Sequence, residues 1–222
     1  MVAVVPQPRQ MPPPPFDKGA LQGIFAAVTE SYSYQGFGFT PNGRGAQFGN
    51  GPDDFVELRP ALLRIEAKMD GPELLLADMV QEKALRILGI AVDGLKIEGL
   101  LQCAIQIVAS ADTPGGDAKT FVAEKLMHGG QQATKLGGNY FGAAVRFRDL
   151  RELDRPDEDE LSIEPDVNNN QLLYLDHKMA RFAVTGPIGL DDVSMWMSEA
   201  FSFVDGPTMD LLENAEGDND TR

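Results

Sequence analysis

The chain has 222 residues, of which 43% are hydrophobic and 24% are charged, proportions that are ordinary for a folded domain. Its 19 basic and 34 acidic side chains give a net charge of −15, which argues against binding duplex DNA because phosphate neutralisation needs clustered lysine and arginine. No apolar run is long enough to cross a membrane, and the single cysteine, Cys103, excludes an intrachain disulfide and a zinc site built on several thiolates. We therefore expect a cytoplasmic protein with one domain over residues 16–212.

The N-terminal segment, residues 1–15, is rich in proline and ends in Pro12-Pro13-Pro14-Pro15. Proline lacks the backbone N–H and fixes φ, so we expect neither a helix nor a central strand here. The segment is predicted to be a disordered or polyproline II leader. The alternative is an arm that docks on a neighbouring subunit.

A helical pattern follows Asp17, which can cap a helix. The apolar residues with helical spacing are Leu21, Ile24, Phe25 and Val28. One long strand from Leu21 is the alternative, because residues 30–40 switch to the period of two that is typical of a strand. A glycine-rich loop is predicted over 41–54, with Asn42-Gly43 as a turn signal.

Two strands flank a helix in the next part of the chain. Residues 55–69 alternate apolar and charged side chains, and a phase slip near Leu62 predicts a bulge after Pro60. A helix is predicted to begin at Asp70-Gly71-Pro72-Glu73, with Gly89 near its end. Residues 96–109 form the second strand. Its predicted buried face carries Leu101, Cys103, Ile105 and Ile107.

Further strands follow a helix that Asp117 can cap and that is predicted to continue through about His128. The clearest alternation covers residues 139–148, where Val145 and Phe147 are expected to face the core. An acidic loop is predicted over 154–166, and most of the acidity of the chain lies there and in the tail. Shorter strand patterns are Leu161–Ile163 and Leu173–Val184, with a turn at Asn168-Asn169-Asn170.

The last predicted helix begins at Asp191, and Trp196 lies on its apolar stripe, so we expect this side chain to be largely buried. Residues 213–222 are predicted to be a disordered acidic tail. Strand patterns outnumber helical ones. We therefore predict an α+β fold with a mainly antiparallel sheet covered on one face by about three helices.

The aromatic segment before the glycine-rich loop is the best candidate for a binding site. Large apolar patches on a protein surface usually mark interfaces, and glycines at positions 36 and 38 permit close approach of a partner. Residues 12–39 are accordingly predicted to contribute to a subunit contact. The predicted partner-binding residues are Tyr32, Tyr34, Phe37, Phe39 and Arg44.

No catalytic residue, metal ligand or cofactor is predicted, because nothing matches a nucleophile elbow, a paired metal-binding histidine motif or a dinucleotide fingerprint. We favour a non-catalytic interaction or assembly protein, homo-oligomeric, of the class that includes structural proteins of phage particles. One alternative is a hydrolase or nuclease that uses the 154–166 carboxylates and a divalent metal. Another is a binder of single-stranded nucleic acid that stacks bases on the 32–39 aromatics beside Arg44, Arg146 and Arg148.

The order of elements also carries a resemblance to known proteins. A late strand reads Leu172-Leu173-Tyr174-Leu175-Asp176, and Trp196 and Phe201 follow in a closing amphipathic helix. This arrangement is similar to a sporadically distributed family of uncharacterised bacterial proteins and resembles, more distantly, the SecB-like antiparallel sheet covered by helices. The likeness spans residues 55–204 and departs from the family at Gly99–Cys103, where the family has a glycine-apolar-arginine-tyrosine strand. It implies a fold and no activity.

Overall fold

The computed structural model describes residues 1–6, 14–68, 73–127, 144–149 and 157–217. The described strands belong to one antiparallel sheet, and with the helices they confirm the predicted α+β fold. The strands are β1 (Val2–Pro6), β2 (Gly38–Phe39), β3 (Ala46–Gly51), β4 (Asp54–Arg59), β5 (Leu62–Glu66), β6 (Leu100–Asp112), β7 (Val145–Asp149), β8 (Glu158–Pro165) and β9 (Leu172–Phe182). They are hydrogen-bonded in the order β2-β3-β4-β5-β1-β6-β9-β8-β7.

Helices occur between and after these strands. They are α1 (Lys18–Tyr32), α2 (Glu73–Gly94), α3 (Ala118–Thr120), α4 (Leu190–Phe203) and α5 (Met209–Gly217), with π-helical segments at Phe121–Leu126 and Val204–Thr208. The chain divides into two compact units. Unit 1 comprises Met1–Ile105 and Ala180–Ser198, and unit 2 comprises Gln106–Met179 and Glu199–Arg222. The predicted domain over 16–212 therefore includes parts of both units.

The N-terminus of unit 1 contradicts the expectation of a leader without a central strand. Strand β1 pairs on one side with β5 and on the other with β6, and Val2 and Val4 are buried. Pro6 stands at the end of β1, where the register with β6 shifts, so its missing N–H falls at an irregular position. The prediction was wrong for residues 2–6 because it extended the effect of the later prolines to an apolar start. Residues 7–13 lie outside the described part.

Two further predictions on either side of β4 differ from the structure. The predicted bulge after Pro60 is a turn that joins β4 and β5 into an antiparallel hairpin, with Leu58 opposite Leu63. The predicted 41–54 loop contains β3, which pairs with β2 and β4. The predicted strand over 30–40 is confined to the two residues of β2, because α1 continues to Tyr32.

Helices α1 and α2 cover one face of the unit 1 strands. The helix interpretation after Asp17 is confirmed, since its Oδ1 accepts the Ala20 N–H at 2.9 Å. Helix α2 continues beyond Gly89 to Gly94. A Cβ built on Gly94 would lie 2.6 Å from Ile24 Cγ1, so this glycine permits close packing against α1. The core-facing strand side chains, all fully buried, are Val56, Leu58, Leu63 and Ile65.

In unit 2 the predicted acidic loop is largely a strand. Residues 158–165 form β8, which pairs with β7 and buries Leu161 and Ile163. The strand pattern predicted at Leu161–Ile163 is therefore confirmed as the centre of β8, and the loop prediction was wrong for the residues of the strand on either side of it. Phe147, expected in the core, is 43% exposed at the edge strand β7. Residues 139–143 and 154–156 of the predicted strand and loop lie outside the described part.

The C-terminal region is helical further than predicted. Helix α5 reaches Gly217, so residues 213–217 are not a disordered tail, and Leu212 is buried. Residues 218–222 lie outside the described part. Trp196 is mostly but not fully buried, in line with the prediction, while Val193 and Met197 occupy the buried stripe of α4.

Candidate protein-interaction site

The five predicted partner-binding residues lie in unit 1 but differ in accessibility. Tyr34 is only 2% exposed, which contradicts its assignment to a contact surface. Tyr32, Phe37 and Phe39 are half-buried, and Arg44 is exposed. Phe37 and Phe39 are therefore the aromatic side chains that remain at the surface beside the end of the sheet.

Backbone turns place these aromatic side chains. Helix α1 ends at Ser33, which adopts the left-handed conformation with φ 48° and donates its N–H to Thr29 O. Gly36 has φ 70°, a conformation that glycine adopts without steric cost. The following turn is closed by the Gly43 N–H on Thr40 O at 2.8 Å. The turn predicted at Asn42-Gly43 is thus confirmed.

Four phenylalanine rings form a cluster on the side of β2 that faces α1. The Phe37 ring lies 4.8 Å from that of Phe25 in α1 and 4.9 Å from that of Phe39. Phe48 in β3 packs against Phe25 at 5.3 Å, and Lys18 Nζ lies 5.4 Å from the Phe39 ring centre. Contacts of this geometry stabilise aromatic pairs beyond simple burial. The surface aromatics therefore sit on a packed support.

A buried charged network holds the start of this segment. The Tyr34 hydroxyl donates to Asp54 Oδ1 at 2.7 Å, and Lys83 Nζ donates to the same oxygen at 2.6 Å. Lys83 Nζ also lies 5.0 Å from the Tyr34 ring centre and 5.7 Å from that of Tyr32. Burial, and then the bond to Asp54, raise the pKa of Tyr34 far above its ordinary value. Tyr34 is therefore a neutral hydrogen-bond donor that ties the chain after α1 to α2 and β4.

The backbone of β2 has one side turned to β3 and one side turned away. The Thr40 N–H donates to Gly45 O at 2.8 Å, and the antiparallel register places Gly38 opposite Gln47 and Phe39 opposite Ala46. Hydrogen-bonded and non-hydrogen-bonded pairs alternate along such a ladder. The N–H and C=O groups of Gly38 are therefore directed toward β3, while those of Phe37 and Phe39 point away from it, to the edge of the sheet. We call residues 35–40 the aromatic edge.

Glycine residues leave part of the sheet surface without side chains on the face away from α1. The Phe55 side chain stands over Gly49, where a built Cβ would lie 2.5 Å from Phe55 Cβ, whereas a Cβ on Gly38 or Gly51 would meet nothing within 4 Å. An open hollow of about 420 Å³ results, bordered also by Arg59. On this face the space above Gly38 is open in its own chain, and Gln47 lies opposite it in β3.

Several arginines that a nucleic-acid binder would use are ion-paired within the protein. Arg59 is ion-paired with Glu57 and Arg64 with Glu66 on the unit 1 sheet. In unit 2 the two arginines of the nucleic-acid hypothesis are also paired, Arg146 with Glu160 and Arg148 with Glu158. Phosphate neutralisation requires cations that are available to the ligand. Tyr34 is buried as well, which removes one of the four aromatic side chains of that hypothesis from the surface, while Arg44 is exposed.

Four of the carboxylates of the metal hypothesis, at positions 158, 159, 160 and 164, lie in a strand. Glu158 and Glu160 lie in β8 and pair with arginines of β7. Among the described residues, no group of three or more histidine, cysteine or carboxylate side chains is arranged to hold a metal ion. Residues 154–156 lie outside that part. The geometry of β8 thus gives the hydrolase alternative no support.

Cys103 and His177 are packed in the interior. Cys103 is 1% exposed in β6, and burial raises the pKa of its thiol to about 12, as expected for a structural rather than a reactive cysteine. His177, also buried, stacks on Phe203 with ring centres 4.5 Å apart. Both side chains serve packing in their own units.

The network partners of Tyr34 were missed by sequence analysis. A signal was present in α2, where Lys83 stands four residues before the buried Ile87 and therefore on its stripe. A lysine at such a position needs a buried counter-charge. Nothing local identified Asp54 as that partner, because the two residues are far apart in the chain.

No protein-family model, curated protein or solved structure matches this chain. The resemblance based on Leu172–Asp176 and the closing helix stays a prediction. None of the helices in the described ranges has the length and hydrophobicity needed to span a membrane.

Proposed function

We propose that this protein is a non-catalytic interaction or assembly protein that self-associates through the aromatic edge. The observation that carries the proposal is the outward side of β2, where backbone hydrogen-bonding groups and two half-buried phenylalanines lie together at the end of the sheet. Exposed strand edges are templates for pairing with another chain. A component of a larger particle, such as a phage structural protein, belongs to this class.

The rigidity of the aromatic edge supports this function. Its side chains pack on Phe25 and Phe48, and the bonds of Tyr34 and Lys83 to Asp54 fix the preceding residues. A site that is ordered before binding loses less conformational entropy when the partner binds. A cytoplasmic location is part of the same proposal and is supported by the single buried cysteine, a use typical of reducing compartments.

Sedimentation equilibrium over a wide range of protein concentrations tests the proposal. We expect the apparent mass of the wild type to rise with concentration and that of the Phe37→Ser, Phe39→Ser variant to remain monomeric. The matched control is Phe147→Ser, which removes an exposed phenylalanine from edge strand β7 and should associate as the wild type does. A wild type that stays monomeric throughout contradicts the proposal.

A second variant guards against loss of folding in the double serine variant. Phe39→Glu places a carboxylate beside Lys18, whose Nζ lies 5.4 Å from the ring centre of Phe39, so the new charge has a partner within its own chain. Charge on an edge strand opposes pairing. Fluorescence of Trp196, the only tryptophan, reports whether unit 1 is folded. A folded Phe39→Glu protein that associates like the wild type would exclude the aromatic edge as the contact.

A further inference from the structure

We infer that the partner of the aromatic edge is a second copy of this chain, whose β2 adds antiparallel to β2 with the two Gly38 residues facing each other across a two-fold axis. The inference rests on the proposed function, in which the partner is a second copy, and adds the register and the symmetry of the contact. A two-fold interface requires one surface to be complementary to itself. Backbone, side chains and glycines of the aromatic edge each meet this requirement.

The outward backbone groups belong to the residues that this register pairs. Because Gly38 and Thr40 face β3, the N–H and C=O groups of Phe37 and Phe39 are directed to the edge. Centring the pair on Gly38 places Phe37 opposite the partner's Phe39, and Phe39 opposite the partner's Phe37. Each of these pairs exchanges N–H···O=C bonds, so the outward groups of one copy are satisfied by those of the other.

The phenylalanine side chains become cross-strand neighbours in the same register. Paired residues of antiparallel strands lie on the same face of the sheet, and Phe37 and Phe39 lie on the face covered by α1, beside Phe25 and Phe48. The aromatic cluster of one copy therefore continues into that of the second. A shift by one residue would put phenylalanine opposite glycine on the wrong face.

Shifting the register by two residues keeps paired side chains on the same face of the sheet but leaves backbone hydrogen bonds between the strands unmade. One such register pairs Phe37 with Pro41, which has no N–H to donate. The other pairs Phe39 with Gln35, whose carbonyl is already used by the Gly49 N–H at 2.9 Å. The register centred on Gly38 is the one in which both phenylalanines find complete partners.

Gly38 suits the position on the axis. In a non-hydrogen-bonded antiparallel pair the two Cα atoms are only about 4.5 Å apart. A Cβ built on Gly38 meets nothing within 4 Å in its own chain, so the face there is open to the second copy. A contact of one short strand is smaller than a standard interface. We therefore expect reversible, concentration-dependent association.

Disulfide trapping tests the register. In Gly38→Cys, the two introduced cysteines face each other across the axis within the Cα separation that a disulfide requires, about 4.4–6.8 Å. In the control Thr40→Cys the two cysteines would be about 13 Å apart, from a rise of about 3.3 Å per residue, and no bond can form. Wild-type Cys103 is buried, so the wild type controls for cross-linking through that thiol.

We expect mild oxidation to double the mass of Gly38→Cys on a non-reducing gel, reversibly with dithiothreitol, and to leave Thr40→Cys monomeric. If wild type associates and the Phe37→Ser, Phe39→Ser variant does not, yet folded Gly38→Cys stays monomeric on oxidation, the register is wrong and the proposed function stands. If wild type never associates, both the inference and the proposed function are overturned.

Discussion

Replacing Lys83 with methionine is the perturbation that most sharply tests the support of the aromatic edge. Methionine keeps most of the volume of the lysine stem and removes the charge that contacts Asp54 at 2.6 Å. The Lys83 and Asp54 side chains are only 10% and 18% exposed. Asp54 would therefore lose its cation in a site where water replaces it poorly.

The expected loss of stability follows from what Asp54 retains. Removing one partner of a buried ion pair costs about 3–5 kcal/mol when the remaining charge is uncompensated. Asp54 would still accept the Tyr34 hydroxyl at 2.7 Å and Asn50 Nδ2 at 3.2 Å. We therefore expect Lys83→Met to lower the free energy of unfolding by about 2–3 kcal/mol, below the uncompensated range.

The assay is urea unfolding followed by the fluorescence of Trp196, which belongs to unit 1 like Lys83. The matched control is Lys68→Met, because Lys68 pairs with Asp53 at 3.8 Å while both side chains are largely exposed, at 58% and 67%. An exposed pair contributes about 0–1 kcal/mol. If Lys83→Met costs no more than Lys68→Met, the network does not stabilise unit 1 and this reasoning is refuted.

Two further predictions concern unit 1. Gly49→Ala should destabilise the protein by about 1–3 kcal/mol, as overpacking does, because the added Cβ would collide with the backbone oxygen of Asp54. Gly51→Ala is the control, since a Cβ there has open space. Equal urea midpoints for the two variants would contradict this prediction. The Cys103 thiol, with its pKa raised from 9.0 to about 12 by burial, should react with Ellman's reagent at pH 8 only after unfolding. As the pH rises through 9.0, the thiol ionises in the unfolded chain but not in the folded one, so the free energy of unfolding should fall between that pH and the folded pKa. Cys103→Ser should remove this part of the pH dependence. Fast labelling of the folded wild type would contradict the burial of the thiol.

Local signals in the sequence predicted several elements correctly. Asp17 before an apolar stripe identified α1, and Asp117 identified α3, where its side chain accepts the N–H groups of Lys119 and Thr120. The apolar pattern from Leu173 to Val184 identified β9, which covers Leu172–Phe182. The two helix caps form within a few residues, so the sequence alone carries that information, and β9 was recognised from its own alternation although β6 and β8 are its neighbours in the sheet.

Non-local pairing explains what could not be predicted. Strand β1 is stabilised by β5 and β6, with Val2 opposite both Ile65 and Ile105, and no local feature of an apolar segment followed by proline indicates such partners. Of strand β8 only Leu161–Ile163 was predicted, because Glu158 and Glu160 were assigned to an acidic loop, whereas they pair with arginines of β7. Pairing between distant segments decided both elements.

The candidate site likewise has a part that the local sequence predicted and a part that depends on distant residues. The alternation of aromatic and glycine residues identified the segment that forms the edge, but it did not separate Tyr34, which is buried, from Phe37 and Phe39, which reach the surface. That separation depends on Lys83 and Asp54, which the sequence places far from each other. A lysine on an apolar helix stripe is the signal that points to such a network.

Amide hydrogen exchange of the aromatic edge, measured at low and high protein concentration, tests the central claim most directly. The N–H groups of Phe37 and Phe39 point away from β3, whereas the Thr40 N–H is already bonded to Gly45 O. Self-association through β2 predicts that exchange at Phe37 and Phe39 slows as concentration rises, while exchange at Thr40 changes much less. Association that leaves the Phe37 and Phe39 rates unchanged would contradict the account, because the contact would then lie elsewhere.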